Sequence, residues 1–246
     1  ATAREIEPTG ARTVLDAVAS LVPGAFVTRR GVMGYGIATN GTGAISIRGV
    51  GGQPNTGVLV IVDGRPDFQG LMGHPLPDFY TLSDAAEVSV IEGPASVLYG
   101  SNAMGGVVEV KPAEPVRGMD TRLTTGLGSF FTGQHRLSHG ARFDRFFYSI
   151  NGGVSHTSSD RPSSAFRNQD GTAAIGYDLS DNWKTSLHAR YGHFYVEDPG
   201  PVTAPLHGSF ATVGRGGFSA NLDNSGSNYW GYARVYSSHG RHVITD

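Results

Sequence analysis

The sequence predicts two architectures in succession: an α+β domain over residues 1–115, then antiparallel all-β strands over residues 116–246, about seven of them. Three observations predict it. The chain holds 36 glycines against only 39% hydrophobic residues, a balance that favours turns, close packing and β-structure over helix bundles. Residues 87–111, EVSVIEGPASVLYGSNAMGGVVEVK, read as a strand, a small-residue turn and a second strand. After residue 116 polar and apolar residues alternate with period two in segment after segment.

The totals also exclude functions. There is no cysteine, hence no disulfide framework and no thiolate metal site. A net charge of −2 offers no basic footprint for nucleic acid. No apolar run approaches the roughly 20 residues of a membrane-spanning helix, but spanning β-strands need only about 9–11 residues of alternating polarity.

In chain order, residues 1–10 read as an extended lead-in. Thr13 caps a helix over 13–21 with apolar residues at helical spacing, which Pro23-Gly24 ends. A strand follows at 25–29, then a glycine-rich loop at 31–43 and a strand at 44–49. Val58 to Val62 is an unbroken β-branched and leucine run, expected to be buried on both faces, and Asp63-Gly64 supplies its turn. Residues 65–80 hold three prolines and read largely as loop. In 87–111, Pro94 lacks the N–H a ladder needs and stops the first strand. Residues 95–99 fit one helical turn, and Gly100, Gly105 and Gly106 permit tight positive-φ backbone before the strand at 107–110.

The second half yields seven candidate strands. Leu123, Leu137, Ile150, Ile175, Leu187 and Phe218 each sit on an apolar face opposite Arg122, Arg136, Asn151, Gly176, His188 and Ser219; the last segment, 229–238, alternates less cleanly. Phe143, Phe146, Trp183 and Tyr191 lie near strand ends, where a barrel carries its aromatic girdles. Tight connections at 143–145, 180–182 and 224–228 alternate with long ones at 157–170 and 194–214, as periplasmic turns and extracellular loops do. A soluble up-and-down β-protein shares this alternation.

Four ordered blocks break that tie: LVPGAFV at 21–27, ISIRG at 45–49, VLVIVDG at 58–64 and GPASVLYGSNAMGGVVEV at 93–110. Over residues 11–111 the chain resembles the plug domain of TonB-dependent outer-membrane receptors. The resemblance implies a plug at 1–115, the N-terminal portion of a transmembrane β-barrel at 116–246, and an outer-membrane location. Plugged barrels have about 22 strands, so a fragment of a longer receptor, or completion by other chains, is expected. The implied function is active uptake of a scarce ligand, an iron-siderophore or similar metal chelate, powered by the inner-membrane TonB complex, with outer-membrane lipid around the barrel. Alternatives are a haem or cobalamin receptor of the same family, a sensing or binding receptor without net transport, and a passive porin. The TonB-contacting segment lies upstream of the plug in the family, and residues 1–7 do not clearly resemble it.

No enzyme signature appears: there is no GxSxG, no phosphate loop and no GxGxxG opening a helix, and no catalytic residue, metal site or cofactor is expected. The resemblance places two plug apices in the ligand chamber. Arg29, Arg30 and Tyr35 on the first, with Phe68, Gln69, His74 and Tyr80 on the second, suit an anionic aromatic chelate through stacking and charge-assisted hydrogen bonds; the competing role is loop packing inside the barrel. Arg48 fits the basic plug residue that pairs with wall acids in the family. Glu92, where the family carries a basic residue, is expected to pair with Arg48, or with Arg122 or Arg136 of the wall. His135 and His139, four apart on a strand, are about 13 Å distant and too far apart to share one metal.

Overall fold

The computed structural model describes residues 1–29, 31–35, 43–52, 57–67, 75–83 and 85–245. Residues 1–10 are not extended. They form a short helix α1 (Ala3–Ile6) and a 3-10 turn (Glu7–Thr9). Glu5 accepts the Thr2 N–H at 2.7 Å, a local cap too short for a periodicity argument to detect. Helix α2 (Val14–Leu21) starts where Thr13 predicts: the Thr13 hydroxyl accepts the Asp16 N–H, and Asp16 Oδ2 accepts the Thr13 N–H.

Two small sheets complete the N-terminal domain. Strands β1 (Ala25–Val27), β2 (Ile45–Ile47) and β3 (Val50–Gly51) pair antiparallel. Strands β4 (Val58–Val62), β5 (Arg65–Pro66), β6 (Ala85–Glu92) and β7 (Gly106–Pro112) form a second sheet in the order β5-β4-β7-β6, with β4 and β7 parallel. The run Val58–Val62 is buried on both faces. Val58 and Val60 pack with Val14, Leu15 and Val18 of α2, while Leu59 and Ile61 pack with Ala95, Ala103 and Val107. Two-sided burial is why its sequence does not alternate.

The stretch 87–111 is therefore a strand–helix–strand unit wholly within this sheet, with α3 (Ser96–Tyr99) between β6 and β7. Strand β7 is held on both sides by β4 and β6, and the passage to the second sheet follows it, at 113–117. The glycines of the stretch serve close backbone approach. Gly105 N–H donates to Gly57 O at 2.7 Å, and a Cβ on Gly106 (φ 148°) would overlap the Ile91 carbonyl oxygen.

The seven expected strands are present as one antiparallel sheet in chain order: β8 (Gly118–Gly128), β9 (Thr132–Phe143), β10 (Phe146–Thr157), β11 (Phe166–Asp178), β12 (Trp183–Glu197), β13 (Phe210–Ser225) and β14 (Trp230–Thr245). The sheet does not close. Several strands run on past their alternating segments, so the long connections shrink to 158–165 and 198–209, and the first turn at that end is only 129–131.

Register puts side chains into rows. Met119, Ala141, Tyr148, Ile175, Leu187, Ala220 and Val235 stand side by side across all seven strands. The row nearer the short turns contains Phe143, Phe146, Tyr177 and Leu222; the row nearer the long loops contains Ile150, Ala173, Ala189 and Phe218. This face points away from the N-terminal domain, leaving Leu187 53% and Ile150 58% exposed, while Ser219 (1%) and Asn221 (4%) are buried on the other. Apolar outside and polar inside is the reverse of a water-soluble sheet and is the pattern of a membrane barrel.

Gly106→Ala is expected to cost the N-terminal domain at least about 2 kcal/mol, from the backbone and the Ile91 overlap together. Gly100→Ala, also at positive φ (92°) but with open space at its Cβ, should cost about half as much. Hydrogen exchange of the β4 and β7 amides would measure both.

Candidate functional site

The inner face of the sheet grips the N-terminal domain through one turn above all. Asp63 (φ 54°) and Gly64 (φ 66°) make the β4–β5 hairpin turn, and their conformation aims both the Asp63 carboxylate and its carbonyl at the wall. Asn221 Nδ2 donates to Asp63 Oδ2 at 3.3 Å, Ser219 Oγ lies 3.5 Å away, and His188 Nδ1 approaches the same oxygen at 3.4 Å. Arg234 Nη1 donates to the Asp63 carbonyl at 2.8 Å. A Cβ on Gly64 would overlap that guanidinium and displace it from the Asp63 carbonyl, while the positive φ itself favours glycine.

Next to the turn, Arg215 Nη2 donates to Asp67 Oδ1 at 2.9 Å, both side chains being nearly enclosed. Tyr80, fully buried, accepts the Leu76 N–H and sits beside Asp67; burial first, and then the Asp67 charge, raise its pKa well above the usual phenol value. Arg190 Nη2 donates to the Phe79 carbonyl at 2.6 Å, and Arg136 to the Arg12 carbonyl. Leu76 and Phe79 dock on Phe166, Phe194 and Val213 of the wall, an apolar contact among these polar ones.

At the long-loop end a second knot forms around Asp16. Its Oδ2 caps α2 through the Arg12 and Thr13 N–H groups, while Oδ1 accepts from the Tyr35 hydroxyl and pairs with Arg29 at 2.6 Å. The Tyr35 N–H is bound by the Asp78 carboxylate at 2.9 Å. Burial is the main cause, with Asp16 adding to it, of a Tyr35 pKa raised above 10. The loop through Gly31 and Gly34 lies against Ser159 and Phe166 of the wall. The cleft between them, lined by Arg29, Tyr35, Arg136 and Asp170 among others, encloses about 40 Å³. That is room for about three waters, so a chelate has to sit outside it.

Arg29 and Tyr35 thus meet at Asp16, Arg29 with 43% of its side chain exposed and Tyr35 only 4%. Tyr80 faces the interior instead. Arg30, Phe68, Gln69 and His74 lie outside the described residues. Arg48 Nε donates to Glu92 Oε2 at 2.8 Å, joining the two plug positions to each other. His135 and His139 stand on the outward face of β9, beside Thr125 and Thr121 respectively, and no cluster able to hold a metal ion exists among the described residues. Sequence reasoning took Asp63 for a turn residue only and did not single out Asp16, Asp67, Arg190, Arg215 or Arg234. Lone arginines on the polar side of alternating strands were the available signal.

A family model described as TonB-dependent Receptor Plug Domain matches residues 1–107. A "Hemin receptor" of Yersinia pestis is 34% identical over 124 residues, covering 49% of this chain and 17% of that protein. Among solved structures, the ferric yersiniabactin uptake receptor FyuA from Yersinia pestis aligns over 99% of this chain and 40% of its own at 15% identity and a TM-score of 0.79. BauA, the ferric preacinetobactin receptor from Acinetobacter baumannii, aligns over 99% and 37% at 15% identity and 0.77. The copper transporter OprC aligns over 95% and 35% at 18% identity and 0.75. The chain spans less than half the length of each of these proteins.

Asp67→Ala leaves Arg215 buried without its carboxylate and is expected to weaken docking of the N-terminal domain by about 3–5 kcal/mol, whereas Asp67→Leu with Arg215→Met should recover most of the loss. Exchange protection of the β4–β5 amides reads both. Because the Tyr35 pKa is raised by folding, the folded state holds its proton where the unfolded chain releases it. The stability Tyr35 contributes is therefore complete below pH 10 and is lost as pH rises above it. Alkaline unfolding should be shallower for Tyr35→Phe than for the parent.

Proposed function

We propose that this chain, a TonB-dependent receptor plug domain continuing into part of its β-barrel wall, belongs to a protein that takes up a scarce metal chelate across the bacterial outer membrane at the expense of TonB-transmitted energy. The observation that carries the reading is the combination of the plug match over residues 1–107 with a wall whose polar face grips that plug and whose apolar face is bare. Such a wall is suited to hydrocarbon, and a plug held in it by side chains is suited to gating.

The ligand would meet the plug at its long-loop end. Arg29 keeps an exposed guanidinium there while anchored on Asp16, a fit for a chelate carrying carboxylate or catecholate oxygens. Arg30, Phe68, Gln69 and His74 belong to the same two loops by sequence. Tyr35 and Tyr80, both buried, would act by holding those loops. Nothing in the chemistry of these groups requires a covalent step, and we assign no catalysis to the chain. Haem is the second reading, favoured by the 34% identity to a protein described as a hemin receptor; His74 would then be the residue to examine.

Growth rescue tests the proposal. The full-length gene is expressed in a receptor-deficient strain and supplied with a panel of ferric chelates, haem and cobalamin, with and without TonB. Rescue by one ligand class that vanishes without TonB is expected; TonB-independent entry would point to a pore, and binding without entry to a sensing receptor. The membrane placement has its own check. Leu187→Arg, on the outward face, should lower the stability of the bilayer-inserted barrel by about 2–4 kcal/mol, measured by reversible denaturant unfolding from lipid vesicles.

A further inference from the structure

Between the plug and the wall, close to the Asp63 turn, lies a small pocket lined by Arg65, Arg190, Arg215, Asp67, Phe79 and Ser238. Its charge does not balance. Among the described residues three guanidinium groups face one carboxylate, whose Oδ1 is engaged by Arg215 while its buried Oδ2 has no hydrogen-bond partner. Asp63, the next acid, is occupied by Ser219, Asn221 and His188. The segment that follows Asp67, FQGLMGH at 68–74, contributes no further acid.

The cations are well shielded from water. Arg65 is 7% exposed and Arg215 6%, and Arg190 has a buried Nη1 with no hydrogen-bond partner. Arg65 stands on plug strand β5, while Arg190 and Arg215 come from wall strands β12 and β13, so the like charges are brought together only when the plug docks. Burial and the neighbouring Arg190 charge both depress the Arg65 pKa. A buried guanidinium is costly to desolvate unless a counter-charge accompanies it. The cavity measures about 10 Å³, room for a single small particle and not for a polyatomic organic anion.

We infer that this pocket binds a single monatomic anion of the chloride class, held between Arg65 of the plug and Arg190 and Arg215 of the wall. The anion supplies the missing acceptor for Arg190 Nη1 and offsets the repulsion between β5 and the wall. It is a docking ion: it binds only when both surfaces are present, and it leaves when they part. The site depends on how the plug packs on the wall and not on which ligand the receptor carries.

The test uses the full-length receptor in neutral detergent. Thermal unfolding is followed in sodium chloride, sodium bromide and sodium gluconate at constant ionic strength. Chloride and bromide should each raise the melting temperature saturably, by about 2 °C or more over gluconate, which is too large to enter. Arg65→Gln with Arg190→Gln should raise the half-saturating chloride concentration at least about tenfold. Equal melting in the three salts, or an unchanged halide response in the variant, overturns the inference. Should the variant fail to fold, the parent receptor decides the matter: crystals grown in bromide should show an anomalous peak between Arg65 and Arg190, and a site without one, whether empty or holding water, overturns it.

Discussion

The structure depends on guanidinium groups reaching inward from a β-wall to oxygen atoms of the plug. Arg234, Arg190 and Arg136 take backbone carbonyls at Asp63, Phe79 and Arg12, and Arg215 takes the Asp67 carboxylate. Arginine suits this work because it brings five donors in a rigid fork and stays charged when buried. The polarity is the reverse of the family pattern implied by the resemblance, in which basic plug residues meet wall acids. Here the described wall offers the cations. Arg48 and Glu92, the plug positions singled out for wall pairing, bind each other.

The same constraint explains the chemistry of the strands. On the inner face of β12, His188 and Arg190 meet plug oxygens while the outer face is apolar, so Ser186, His188 and Arg190 alternate with Leu187, Ala189 and Tyr191. At the short-turn end, Glu114 of the connecting segment pairs with Arg142 and Lys184, which ties the chain to the wall where it leaves the plug. The wall thus contacts the plug at both ends and in the middle.

Much of this was legible, and the limits have physical causes. Period-two alternation announced six wall strands plainly and the seventh less cleanly, because each has one apolar and one polar face, and the unbroken Val58–Val62 run announced two-sided burial. Thr13 announced its helix. Of the partners considered for Glu92, Arg48 is the one present. What stayed hidden was anything set by contact between distant segments. Arg190 and Arg136 bind carbonyls, which every residue possesses, so no feature of the plug sequence marks their targets. Strand β7 carries the same Val-Val-Glu-Val pattern whether it enters a barrel or sits beside β4; only the pairing distinguishes them. Tyr35 and Tyr80 have the composition of a ligand-binding apex, yet Asp16 and Asp67 draw them into the interior.

The balance of polar and apolar contact bears on how a plug can be both firmly seated and movable. Its own core, built by α2 against β4, β6 and β7, is aliphatic and loses its stabilisation when opened to water. The seam with the wall is different in kind. One apolar cluster, Leu76 and Phe79 against Phe166, Phe194 and Val213, is surrounded by hydrogen bonds and ion pairs that water can replace, at about 1.5–3 kcal/mol for each with a charged partner. Water entering between Asp63 and its partners can take over these polar contacts, whereas nothing in water replaces the aliphatic packing of the core. Under the uptake reading this favours a plug that shifts or leaves as a partly folded body over one that dissolves where it stands, with the Asp63 turn as the last polar anchor to be wetted, because four wall side chains converge on it.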